Sequence, residues 1–153
     1  MAITSSAGVE KDPPLAELAS RLRLAITRTA RRLRQEAGTD LSPSQTAALA
    51  TIERHGPLTP SELAAVEGIQ RPTTTRIVAR LERAGLIERA RDPADGRVSL
   101  VSASGEGRLL LRKLRGRKTA YLARRLRGLD PHEVAALEQA AAILERLTES
   151  EQP

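Results

Sequence analysis

Apolar residues recur along most of this chain at helical spacing. From Leu15 toward Gly38, the residues Leu15, Leu18, Leu22, Ala25, Ile26 and Leu33 form one stripe, because positions three and four apart share a helix face. Arg21, Arg23, Arg28, Arg31, Arg32 and Arg34 lie mostly off that stripe. A second helix, from Pro43 to about His55, carries Ala47, Ala48, Leu49 and Ile52, and a short third from Pro60 turns Leu63, Ala64 and Val66 inward before Gly68. Over Gln70 to Ala84 the pattern predicts a helix with Thr74, Ile77, Val78, Leu81 and Ala84 on one side and Arg76, Arg80 and Arg83 on the other. After Gly85 the period changes from helical to alternating. Leu86 to Ala90 and Val98 to Ser102 read as two short strands joined by an Asp92-Pro93-Ala94-Asp95-Gly96 turn. A long helix follows from a Ser104 cap to Arg127, with Leu110, Leu111, Leu114, Tyr121, Leu122 and Leu126 on its apolar side. The last, from Pro131 to about Thr148, spaces Val134, Leu137, Ala141, Leu144 and Leu147 along one face.

Three helix starts share one device. Ser42-Pro43-Ser44-Gln45, Thr59-Pro60-Ser61-Glu62 and Asp130-Pro131-His132-Glu133 each place a capping side chain, a proline and then a residue able to bond back. The cap oxygen takes an orphan amide, and the proline occupies a position whose N–H has no helical partner. A short helix, a tight Gly-containing connection and a basic helix then follow one another, which is helix-turn-helix order.

The expected fold is mainly α with a small β-wing. A winged helix-turn-helix over 42–102 is flanked by helices over 14–38 and 104–148, with a disordered arm over 1–13 and a tail over 149–153. The flanking stripes are too long for the small central module to cover, so they are expected to pack on each other and on a second copy, as a homodimer.

Charge sharpens this picture. The net charge is +6 and arginine far outnumbers lysine, which suits bidentate contacts to phosphate and guanine. The distribution is segregated: Gln70 to Arg97 holds seven arginines against four acids, Glu106 to Arg127 nine bases against one acid, and Gly128 to Pro153 one base against six acids. Apolar content comes from Leu, Ala, Val and Ile with one Tyr and no Phe or Trp, favouring helix packing over an aromatic sheet. The absence of cysteine excludes disulfides and thiol redox sensing. With only His55 and His132 besides, no metal site and no cofactor is expected. Neither a leader-like amino terminus nor an apolar run near the roughly 20 residues of a membrane span is present, so a cytoplasmic, nucleoid-associated protein is expected, with no membrane partner.

LTPSELAAVEGIQRPTTTRIVARLERAGLIERARDPADGRVSLVSAS, within six ordered helices, resembles the MarR family of bacterial transcriptional regulators over about Leu15 to Thr148. The resemblance implies that the helix over Gln70 to Ala84 enters the major groove of double-stranded DNA and that the wing reaches the neighbouring minor groove. Arg71, Thr73, Thr75 and Arg76 match major-groove positions, and Arg76 and Arg80 also lie on the exposed arc derived from the helical period. Arginine suits guanine O6 and N7, and threonine suits thymine methyls or phosphates. Arg80 and Arg83 are equally explained as a solvated face.

In the wing, Asp95-Gly96-Arg97 matches the family's turn. This implies that Arg97 enters the minor groove, where negative potential concentrates, that Asp95 braces arginines at the wing's base, and that Arg91 adds a cation. Ser42, Thr59 and Ser61 are candidate phosphate contacts at helix amino ends, although capping alone explains them too. Two departures stand out: Gln70 replaces a small capping residue, and Gly96 replaces a commonly basic one. Many relatives also bind anionic phenolic effectors between the two regions, which implies a small-molecule effector. Leu22, Ile26, Ile52 and His55 are the candidate lining, with core packing the alternative for the three aliphatic ones.

No nucleophile with a base, no paired carboxylates and no phosphate-binding Gly loop appears, so an enzyme is not expected. The function read from the sequence is a sequence-specific DNA-binding regulator, a repressor, acting as a homodimer on a pseudo-palindromic operator and released by an effector. The rival is an architectural, low-specificity nucleic-acid binder that uses the basic helix after the wing as a phosphate-holding surface.

Overall fold

The computed structural model describes residues 13–149. Among these, the elements follow in the order α1 (Pro13–Ala37), α2 (Pro43–His55), α3 (Pro60–Glu67), α4 (Arg71–Arg83), β1 (Ile87–Arg91), β2 (Ser99–Ala103), α5 (Gly105–Leu126) and α6 (Pro131–Glu149). The expected arm lies outside the described residues except for Pro13, which with Pro14 heads α1 instead of closing the arm. Residues 150–153 of the expected tail also lie outside them.

All three predicted capping devices form. Ser42 Oγ accepts from the Gln45 amide at 3.2 Å while Gln45 Oε1 accepts from the Ser42 amide at 3.0 Å. Thr59 and Glu62 exchange the same pair of bonds at 3.1 and 2.7 Å, and Asp130 and Glu133 at 2.9 and 3.0 Å. Each box satisfies two orphan donors reciprocally, which explains why these starts are legible from sequence. Gly68 ends α3 in the left-handed conformation, φ 62°, where an L side chain is disfavoured.

One core joins α2 to α5. Leu49 and Ile52 of α2, Leu63 of α3, Val78 and Leu81 of α4, Val101 of β2 and Leu111 of α5 are buried together. β1 and β2 pair antiparallel with Arg89 opposite Val101. Leu58 adds a rung on the far side of β2, its amide donating to Val101 O at 3.1 Å and its carbonyl accepting from the Val101 amide at 2.8 Å. Both strands start one residue later than the alternation predicts. The reason lies in the flanking bonds: Leu86 spends its backbone on Leu81 and Ser104, and Val98 spends its amide on Asp95 in the turn.

Three side chains face differently from expectation. Val66 is 59% exposed, because only the Leu63–Ala64 side of the short α3 is buried. Ala84 is exposed as the cap residue of α4, and Leu86 takes the inward position. Leu122 lies on the half of α5 beyond the core and is exposed.

Ser104 fastens the wing to α5. Its hydroxyl donates to Gly85 O at 2.6 Å and accepts from the Gly107 amide at 3.0 Å, and the residue is buried. Ser104→Ala loses the cap and leaves the part-buried Gly85 carbonyl without its donor, so urea unfolding should show about 1–2 kcal/mol of lost stability. An unchanged midpoint would contradict this role.

α1 runs along α5. Arg117 Nη1 donates to the Ala37 and Gly38 carbonyls at 2.8 and 3.0 Å, capping the end of α1, and Arg32 Nε donates to Tyr121 Oη at 3.3 Å. α6 has no buried residue, and Leu15, Leu18, Leu22, Leu24 and Ile26 of α1 are exposed. The stripes of α6 and of the amino-terminal two thirds of α1 are therefore uncovered within one copy. No described helix is long and apolar enough to cross a membrane.

Candidate nucleic-acid interface

α4 is held by its apolar side and offers the other to solvent. Thr74, Ile77, Val78 and Leu81 are buried, whereas Arg71, Thr75, Arg76 and Arg80 are exposed and Thr73 is half-buried. Gln70 occupies the cap position in extended conformation but makes no side-chain cap bond, as its departure from a small capping residue implied. Thr74 Oγ1 instead donates to Gln70 O at 3.2 Å and Thr75 Oγ1 to Arg71 O at 3.0 Å. The first turn holds no acid. The amino end of α4 thus presents uncapped amides, the positive end of the helix dipole and the Arg71 guanidinium together, a combination favourable to anions.

The arginines of this stretch divide by what they bind within the protein. Among the described residues, the guanidinium groups of Arg71, Arg76, Arg80 and Arg97 have no hydrogen bond or ion pair. Arg83 Nε donates to Ala79 O at 3.2 Å, and Arg89 Nε pairs with Glu82 Oε2 at 2.9 Å. Arg80 and Arg83, which the helical period leaves together, are therefore distinct: one is uncommitted and the other folds onto its own helix.

The wing turn is closed by Asp92 N–H donating to Val98 O and Val98 N–H donating to Asp95 O, both at 2.9 Å. Asp95 Oδ1 accepts the Arg97 amide at 3.0 Å, a local Asx-type bond that fixes the turn. Among the described residues Asp95 forms no ion pair with an arginine, which corrects the expected brace. The reason is reach: a two-residue Asx bond satisfies the short carboxylate locally, whereas the long Arg91 side chain spans the hairpin and donates Nη1–H to Gly96 O at 2.7 Å. Arg91 is the tie from base to tip. The Arg89–Glu82 pair, with Arg89 Nη1 also donating to Ser99 Oγ at 3.4 Å, links α4 to both strands. Sequence reading missed this link because the two residues are on different elements with no shared period.

At the amino ends of α2 and α3, the Ser42 and Thr59 side chains are occupied by their capping boxes. Ser61 is exposed and its hydroxyl is uncommitted. The Thr59 amide, and after it the Thr59 hydroxyl, hold the Glu62 carboxyl below its ordinary range. An ionised carboxylate in the first turn of α3 opposes a phosphate there. The α2 box uses neutral Gln45, so that end carries no such opposition.

The four residues expected to line an effector pocket are placed apart from the main concavity. Ile52 is sealed in the core, Leu22 and Ile26 lie on the exposed part of α1, and His55 is exposed at the end of α2. The concavity lies between α1, α2 and α5, with Leu33, Ala37, Ala47, Ala50 and Leu114 on its apolar lining and Arg31, Arg34 and Lys118 among its cations.

Comparison with known proteins agrees with this geometry. A family model described as the MarR family matches residues 41–99, which span α2 to the start of β2. An HTH-type transcriptional regulator of Mycobacterium tuberculosis is 39% identical over 130 residues, 84% of this chain and 91% of that protein. The HTH-type transcriptional repressor MdtR of Bacillus subtilis is 31% identical over 72% of this chain and 69% of its own length. A solved protein of Pseudomonas aeruginosa, assigned to transcriptional regulation, superposes with a TM-score of 0.81 at 38% identity, covering 90% of this chain and 97% of that one. These relatives are regulators, not enzymes. With the winged helix-turn-helix in place and its exposed helix lined by uncommitted arginines, the chain belongs to the MarR family of DNA-binding transcriptional regulators.

Proposed function

We propose that this protein is a repressor that binds a pseudo-palindromic operator as a homodimer and is released by a small-molecule effector. The observation that carries the reading is the exposed face of α4, where Arg71, Arg76 and Arg80 are uncommitted while the opposite face is fixed in the core. α4 enters the major groove with Arg71, Thr73, Thr75, Arg76 and Arg80 toward base edges and phosphates. Arg97 enters the minor groove from a wing stiffened by Asp95 and Arg91, and the amino end of α2 at Ser42, where no carboxylate opposes a phosphate, meets the backbone in preference to the α3 end at Thr59 and Ser61. Residues 42–102 form the reading head, and 14–38 with 104–148 form the dimerisation region. The uncovered stripes of α1 and α6 support a second copy, and the repressor reading is supported by the described role of MdtR. An anionic, largely aliphatic effector suits the concavity between α1, α2 and α5, whose lining combines apolar side chains with Arg31, Arg34 and Lys118.

The architectural alternative is less well supported. Two of the cations of α5 are engaged internally, Arg115 with Glu53 and Arg117 with the end of α1, and they are not a free phosphate-holding surface.

Footprinting on duplexes selected from a randomised pool tests the reading. Two protected half-sites related by a dyad and separated by about one helical turn are expected, with protection weakened by small anionic amphiphiles. Uniform protection without a preferred sequence would overturn the specific reading, and protection unaffected by any such compound would remove only the effector.

A further inference from the structure

The wing is packed only at its base. Ile87, Val101 and Ala103 are buried, whereas no residue from Glu88 to Leu100 is. A hairpin of two strands is marginal by itself in water, so its direction depends on what ties its sides to the rest of the head. Arg91 and Asp95 stiffen the tip, the first donating to Gly96 O and the second accepting the Arg97 amide. Nearer the base, Arg89 stands in register with Val101, and its guanidinium reaches two ways: Nε to Glu82 Oε2 in the last turn of α4 at 2.9 Å, and Nη1 to Ser99 Oγ on β2 at 3.4 Å. Among the described residues this is the one polar side-chain link between α4 and the strands. Arg97 lies four residues before Val101 in the chain, toward the tip, up to about 13 Å along the strand. A swing of about 10° at the base would therefore move Arg97 by about 2 Å, against a minor groove about 6 Å wide.

We infer that Glu82 is a positioning residue for the wing: through Arg89 it sets the angle between α4 and the hairpin, and so where Arg97 meets the minor groove relative to the bases that α4 reads. This rests on the part given to the wing in the proposed function and adds the residue that aims it. The pair is partly exposed, Arg89 at 35% and Glu82 at 42%, and a solvated pair adds little to stability. Its effect is on direction. A carboxylate beside a phosphate backbone opposes binding by its charge alone, so removing Glu82 should tighten binding if only charge matters and weaken it if aim matters. The two roles differ in sign.

Duplexes that share the selected operator core and differ in flank, an A·T tract with a narrow minor groove or a G·C-rich run, separate aim from charge. The full-length parent should favour the A·T flank, on the order of fivefold, and Arg97→Ala should lose that preference. Glu82→Gln and Glu82→Arg should each cut it by about threefold or more, with the choice of core bases and the melting temperature unchanged. Glu82→Arg should also weaken operator binding despite its added positive charge. Exchanging the pair, Glu82→Arg with Arg89→Glu, should restore the flank preference. A preference that survives both Glu82 substitutions, or tighter operator binding by Glu82→Arg, would overturn the inference. So would an exchanged pair that leaves the preference lost while its melting temperature holds. Core and flank preferences lost together with a lowered melting temperature would mark Glu82 as a merely structural residue and count equally against it. A parent with no flank preference, or one that Arg97→Ala leaves intact, would instead refute the minor-groove role of the wing, and the inference with it.

Discussion

Gly107→Ala is expected to destabilise the protein by about 2–3 kcal/mol, lowering its melting temperature by roughly 6–10 °C. In a helix interior, glycine to alanine ordinarily stabilises by about 0.5–1 kcal/mol, so the predicted sign is the reverse of helix propensity. The cause is steric. A Cβ at Gly107 would sit 2.1 Å from the Leu86 carbonyl oxygen and 3.2 Å from Leu49 Cδ1. Leu86 O also accepts the Ser104 amide, and Leu49 is fully buried, so neither neighbour moves without disturbing the junction of wing, α2 and α5. Gly116, further along the same helix, has no atom within 4 Å of the place a Cβ would take. Gly116→Ala is the matched control and should gain about 0.5–1 kcal/mol. Thermal and urea unfolding of the pair check both signs, and two stabilising substitutions would contradict the packing described for Gly107.

Arg76→Ala carries the largest expected functional effect, a loss of about 1–3 kcal/mol on the selected operator, or roughly ten- to a hundredfold in affinity. Arg76 projects from the exposed side of α4, and the buried Ile77 and Val78 beside it fix the backbone from which it projects. Its guanidinium has no competing partner among the described residues, so its removal costs no protein contact and the stability should stay within about 0.5 kcal/mol of the parent. The separation of binding from stability distinguishes a base reader from a structural residue. Arg97→Ala, from a wing tip of similar freedom, should weaken binding with less change in base preference, since the minor groove is read more through its shape and potential.

Much of the scaffold is legible in the sequence because it rests on local chemistry. The three capping boxes, Gly68, the burial of Thr74, Ile77, Val78 and Leu81 and the exposure of Arg76 and Arg80 all follow from periods and turn residues within a few positions. What escaped was set by contacts between elements. The one-residue offset of both strands follows from Leu86 and Val98 bonding outside the ladder, and Val66 is exposed because α3 is too short and shallowly packed to bury a second side. The closeness of Gly107 to Leu86 has no signature in a Gly-Glu-Gly helix start. Within the wing, the sequence locates Asp95, Arg91 and Arg97, but the division of labour among them depends on side-chain reach across the hairpin. For the effector the alternative of core packing prevails at Ile52, and the concavity is built from the end of α1 and the exposed side of α2, regions whose patterns give no sign of facing each other.

In the proposed function, α4 reads sequence through Arg76 while the basic surroundings supply general attraction to DNA. Its most direct test is the affinity of the parent and of Arg76→Ala for the selected operator and for random duplex, measured side by side at one salt concentration. A parental preference of roughly 10³-fold or more is expected, cut by about ten- to a hundredfold in Arg76→Ala almost wholly through weaker operator binding. Equal losses on operator and random duplex would show that Arg76 contributes charge without choice, and would contradict its role as a base reader.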